Sequence, residues 1–96
     1  MIIKHKFIIT KQLQQIWRTG VSWENMKPSY NYSNKVLKVD FHNGNHIILI
    51  ERDMVITVTT HPIKVQETFN IGDIKLLNKI EDFITENTPG LINAQN

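Results

Sequence analysis

Cationic and aromatic side chains crowd the first 38 residues. Lys4, Lys6, Lys11, Arg18, Lys27, Lys35 and Lys38 stand there against one acid, Glu24, a formal +6. Trp17, Trp23, Tyr30 and Tyr32 lie among them. Lysine and arginine neutralise phosphates, and aromatic rings stack on exposed bases, so the set has the chemistry of a nucleic-acid surface. It equally has the chemistry of a protein-binding loop. Tyrosine offers a large contact at low entropic cost, and the Ser and Asn residues beside it offer adaptable hydrogen bonds. The expected binding residues are therefore Trp23, Tyr30, Tyr32, Arg18, Lys27, Lys35 and Lys38. For Trp23 the competing reading is a core residue that packs onto a sheet together with Met26.

The charge reverses beyond residue 38. Arg52, Lys64, Lys75 and Lys79 face Asp40, Glu51, Asp53, Glu67, Asp73, Glu81, Asp82 and Glu86, a formal −4. Such asymmetry points to an anionic partner, or to two surfaces that meet each other. Three features count against nucleic acid. Lysines outnumber arginines nine to two, and arginine is the better residue for bidentate phosphate and guanine contacts. No predicted helix is densely basic, and no strand carries an aromatic RNA-binding signature.

Catalytic and metal chemistry find less support. The chain has no cysteine, so it has no thiol nucleophile, disulfide framework or thiolate metal site. Gly20, Gly44, Gly72 and Gly90 are scattered, and Ser22, Ser29 and Ser33 lack an elbow motif. Asp40 and His42 fall on one strand face, but such a pair needs a pocket to act as acid and base. With a two-residue hairpin turn His42 and His46 point to opposite faces. His5 and His61 have no ligand spacing, so the ligand set that zinc requires is not visible. The expectation is no enzyme, no cofactor and no metal.

These residues must be held by a single small core. The 96 residues are 41% hydrophobic, which suits one globular domain over residues 1–90 with a loose tail over 91–96. No apolar run approaches the roughly 18 residues of a membrane span. The first residues lack the pattern of a secretion signal, so a cytoplasmic location is expected. Abundant Ile, Asn and Lys, all with AT-rich codons, point to a low-GC bacterium or to a phage or mobile element within one.

Residues 1–9 read as a short strand. Thr10 is a candidate cap for a helix over residues 11–19, with Leu13, Ile16 and Trp17 inward and Gln12, Gln14, Gln15 and Arg18 outward. Residues 21–34 read as an aromatic loop around Pro28. Segments 36–42 and 46–51 flank Asn43-Gly44, a dipeptide that favours a two-residue turn. That register places Leu37, Val39 and Phe41 with His46, Ile48 and Ile50. A second turn at Arg52-Asp53 leads into strand 54–60 and places Ile56 and Val58 with Ile47 and Leu49. Residues 63–69 are a candidate edge strand. Asn70 is a candidate cap for a helix over residues 73–86, with Leu76, Leu77, Ile80, Phe83 and Ile84 inward. Because Ile47-Ile48-Leu49-Ile50 is apolar on both sides, the sheet should be covered on both faces. The N-terminal helix, or a second copy in a homodimer, would supply the second cover.

The expected fold is α+β: a three- to four-stranded antiparallel meander, a C-terminal amphipathic helix, and a short N-terminal strand and helix. The expected function is a small non-catalytic protein-binding or regulatory module. The alternative is a nucleic-acid-binding protein using the basic N-terminal half.

Overall fold

The computed structural model describes residues 8–20, 23, 25–41 and 44–91. The elements run α1 (Ile9–Gly20), β1 (Lys27–Asn31), β2 (Val36–Asp40), β3 (His46–Arg52), β4 (Val55–His61), β5 (Gln66–Asn70) and α2 (Leu76–Asn87). The strands form one five-stranded meander in chain order, with every neighbouring pair antiparallel. This is the expected α+β class, with one strand more than expected. Residues 1–7 of the expected N-terminal strand lie outside the described residues, and Ile9 belongs to α1.

The added strand is β1, cut from the segment read as a loop. Proline cannot donate to a ladder, which is why Pro28 argued against a strand, but it is tolerated on a sheet edge, and β1 is an edge. Only Tyr30 of β1 is fully buried, with Pro28 half-buried on the same face, so the strand has one large apolar anchor. At the other edge β5 starts at Gln66, not at residue 63. The buried Thr60 hydroxyl donates to the Ile63 carbonyl at 2.8 Å and accepts the Val65 N–H at 3.3 Å, folding that stretch into a loop.

The β2–β3 register differs by one residue from the one the Asn-Gly dipeptide favours. Phe41 donates its N–H to the Asn45 carbonyl at 2.9 Å, and Leu37 pairs with Leu49, Val39 with Ile47. The second turn has two residues, as expected, but it falls on Asp53-Met54 rather than Arg52-Asp53, so Met54 lies in the turn and not on a strand face. Arg52 pairs with Val55, and Asp53 and Met54 take φ of 54° and 66°. That turn puts Ile56 and Val58 on the Ile47/Leu49 face. A two-residue β2–β3 turn would have sent Leu37, Val39 and Phe41 to the opposite face, away from them. Burying those three side chains is worth about 5–9 kcal/mol, which outweighs a local turn preference and fixes the register.

The resulting core is one-sided. Leu37, Val39, Ile47, Leu49, Ile56 and Val58 are fully buried and cluster with Leu13 and Trp17 of α1 and with Ile80, Phe83 and Ile84 of α2. Phe83 meets Phe69 of β5 at 5.8 Å between ring centroids, and Trp17 Nε1 donates to Glu81 of α2 at 3.5 Å. Both helices therefore lie side by side on the same face. The expectation that α1 covers the second face is corrected, because its apolar stripe shares the core with that of α2.

The helix ends also differ from expectation. Thr10 lies inside α1 and is buried, and Glu51 of β3 takes over the capping role. Its carboxylate accepts the Thr10 N–H at 3.0 Å and the Thr10 hydroxyl at 3.3 Å, where negative charge suits a helix start. The buried stripe of α1 is Thr10, Leu13, Gln14 and Trp17, while Ile16 is exposed. In α2 the expected stripe holds, but the helix begins at Leu76 rather than Asp73. Asn70 Oδ1 accepts the Gly72 N–H, and Asp73 Oδ1 accepts the Lys75 N–H, so both shape a turn before the helix. Leu91, placed in the tail by the sequence, is partly buried against the core. No helix among the described residues is long and apolar enough to cross a membrane.

Candidate functional site

Strand alternation divides the sheet residues between the helix-covered face and an open one. Pairing registers order the open face into cross-strand rows. Lys27, Asp40, His46 and His61 form the first. Ser29, Lys38, Ile48, Thr59 and Gln66 form the second; Asn31, Val36, Ile50, Thr57 and Thr68 form the third. Arg52, Val55 and Asn70 complete it. Val36, Ile48, Ile50 and Val55 are only half-buried here, and among the described residues no element lies over them. The rim is polar: Lys38 Nζ sits 3.8 Å from Asp40, and the Thr59 hydroxyl donates to Gln66 Oε1 at 3.2 Å.

The first row holds a contact that sequence reading missed. His46 and His61 are direct cross-strand partners, and their rings stack at 4.6 Å with 10° between planes. Partial burial lowers the His46 pKa. The neighbouring His61 and Lys38 push the same way, and Asp40 opposes them. A turn at Arg52-Asp53 would have paired His46 with Thr59, and it is the turn's actual place at Asp53-Met54 that brings the two histidines together. His42, which the sequence set beside Asp40, lies outside the described residues. Among the described residues no three His, Asp or Glu side chains converge as metal ligands.

The expected binding residues do not share one surface. Trp23 is 1% exposed, its ring 5.5 Å from Trp17 and edge-on to Phe41 at 6.1 Å. It is a core residue and offers no surface to a partner. Tyr30 is 9% exposed, with its hydroxyl buried near Thr10. Burial pushes the pKa of that hydroxyl up, and the nearby Glu51 carboxylate adds to the effect against the pull of Thr10. Tyr32 is 63% exposed in the β1–β2 turn, edge-on to Tyr30 at 4.9 Å and with Lys11 Nζ 5.3 Å from its ring centroid. Lys35 lies in the same turn with φ 57°. Lys27 and Lys38 stand on the open face, and Arg18 is exposed on α1. Lys4 and Lys6 lie outside the described residues.

The opposite edge is acidic. A cleft of about 340 Å³ between β5 and α2 is lined by Glu67, Asp73, Asp82 and Glu86, with Lys79 among them. Lys79 pairs with Asp73, and that pairing, together with the Lys75 N–H, lowers the Asp73 pKa. The division of charge in the sequence is thus a division across the sheet, basic at the β1–β2 edge and acidic at the β5–α2 edge. No protein-family model, curated protein or solved structure matches the chain.

Proposed function

We propose that the chain is a non-catalytic protein-binding or regulatory module that works through the open face of its sheet. The observation that carries this reading is the composition of that face. Val36, Ile48, Ile50 and Val55 make an apolar centre, and Lys27, Lys38, Asp40, Arg52 and the two imidazoles make a polar rim. An apolar centre within a polar rim is the usual anatomy of a protein interface. A stacked histidine pair and threonine hydroxyls add hydrogen-bonding groups. Of the residues expected from sequence, Lys27 and Lys38 belong to this rim, and Trp23 and Tyr30 hold the sheet from beneath.

A nucleic-acid surface needs cations that track a phosphate backbone. Here Lys11 and Arg18 are on α1, Lys27 and Lys38 on the open face, and Lys35 in a turn, so no single track gathers them. The test is affinity purification of the tagged protein from its own cells, set beside Ile48→Lys and Tyr32→Ala. The reading expects a protein captured by the wild type and by Tyr32→Ala and lost with Ile48→Lys. Capture indifferent to Ile48→Lys overturns it, as does binding to nucleic acid that weakens steeply with salt.

A further inference from the structure

We infer that β5 is a docking edge, which takes an extended, lysine- or arginine-bearing segment of a partner protein as a sixth strand. This edge is separate from the open face and stands or falls without it.

The two edges of the sheet are not alike. The Phe41 N–H bonds the Asn45 carbonyl and the Glu51 N–H bonds the Lys35 carbonyl. Alternation then turns Val36, Lys38 and Asp40 toward β1 and leaves Pro28 and Tyr30 with outward-facing backbone. Pro28 has no N–H to offer there, and Lys27 stands beside it. Proline and lysine are the usual guards of a sheet edge. At the other edge the Thr60 N–H bonds the Val65 carbonyl at 2.9 Å, and the Ile71 N–H bonds the Met54 carbonyl at 3.1 Å. The register between them assigns the bonds to β4 to Glu67 and Phe69. Gln66, Thr68 and Asn70 therefore turn their N–H groups outward, and Gln66 and Thr68 their carbonyls as well. The Asn70 carbonyl accepts the Asp73 N–H. No proline or bulge interrupts this row, and among the described residues no strand pairs with it.

Side chains select the strand that fits. Residues of an added strand alternate between the two faces of the sheet. On the open side they meet Gln66, Thr68 and Asn70, which suit polar neighbours. On the helix side they lie over the acidic cleft between β5 and α2. Lys79 is the one cation among the described residues that line it, and Asp73 already holds Lys79. Glu67, Asp82 and Glu86 are exposed and form no ion pair among the described residues. Phe69 and Phe83 line the same cleft, so a lysine or arginine gains apolar contact along its stem while its head reaches the carboxylates.

Geometry places that cation. In an antiparallel sixth strand Glu67 occupies a non-hydrogen-bonded position, where opposing side chains come closest. A cation directly across from it makes the opposite-charge pair that favours the added strand. A second β5 would put acid beside acid, so the edge rejects its own copy. Backbone bonds supply the affinity, and the alternate cations supply the choice of partner.

Titrating an isotope-labelled sample with a capped peptide of alternating lysine and threonine tests this by NMR. The amide signals of Gln66, Thr68 and Asn70 should shift, with a Kd between about 10 µM and 1 mM. Raising salt to about 0.5 M should weaken binding severalfold. The same peptide N-methylated at its threonines keeps its charge but loses the N–H groups facing β5, and should not bind. Thr68→Pro removes an outward N–H without touching the ladder to β4, and should bind severalfold more weakly with unchanged circular dichroism. Glu67→Lys combined with Glu86→Lys should lose the lysine peptide and take an alternating glutamate–threonine peptide instead. Ile48→Lys, on the open face, should bind as wild type does. No shift at a peptide concentration of about 1 mM overturns the inference. Equal binding of the N-methylated peptide also overturns it, since charge alone would then hold the ligand. If Ile48→Lys loses the peptide while Thr68→Pro keeps it, the peptide lies on the open face and the docking edge falls while the role of that face stands.

Discussion

His46 and His61 show how a one-residue step of register decides chemistry. The sequence contains both rings, but their stacking comes from the count of residues through the β3–β4 turn. The groups around His46 are His61 from β4, Lys38 and Asp40 from β2, and Lys27 beyond Asp40 from β1. Burial, His61 and Lys38 lower its pKa below the ordinary 6.5, and Asp40 only partly opposes them. A histidine whose folded pKa is depressed adds stability that is complete above the unfolded value and is lost as pH falls through the folded value. Stability should thus decline as pH drops below about 6.5, beyond what the carboxylates account for. Urea denaturation at pH 7.5 and 5.5 on wild type and His46→Asn measures this. The variant should lose less on acidification, and an equal loss in both would exclude His46 as the cause. Trp23 illustrates the converse limit of residue-scale reading. An aromatic, polar-flanked segment looks the same in sequence whether its rings face a partner or the core. Only the closing of α1 over β1 and β2 sends Trp23 inward and leaves Tyr32 out.

Elements were legible where the signal is periodic and local, and were misread where a distant residue decides. The α2 stripe and, to within one residue, the β3–β4 turn are written in consecutive residues. The start of α1 is not, because its cap is a carboxylate 41 residues away in β3. Strand β1 was hidden because an edge strand needs only one buried side chain, and Pro28 is harmless there. The β3–β4 turn carries an unused margin of stability. Both Asp53 and Met54 adopt positive φ, and Met54 is 66% exposed, so its side chain gains little from packing. A bulky residue in the left-handed region costs roughly 1–2 kcal/mol, part of which glycine returns as lost chain entropy. Met54→Gly should raise stability by about 0.5–1 kcal/mol, or a few degrees in Tm. Thermal unfolding checks this, and a lower Tm would show that Met54 packs on something beyond the turn.

At the scale of the molecule, the one-sided core ties stability and binding to opposite faces of the same strand. The sequence Ile47-Ile48-Leu49-Ile50 is uniformly apolar, so it announces two faces that avoid water without saying which belongs to the fold. The answer lies in α1 and α2, whose stripes share one core and, among the described residues, leave the other face uncovered. Adjacent residues of β3 should therefore respond in different currencies. Leu49 is fully buried, so Leu49→Ala should cost about 2–5 kcal/mol at any protein concentration. Ile48→Thr keeps the β-branched shape on the open face and should cost under about 1 kcal/mol. Denaturant midpoints of the two variants measure both effects. A large loss for Ile48→Thr would mean that this face is already covered within a single chain, and the open face would then have no binding role.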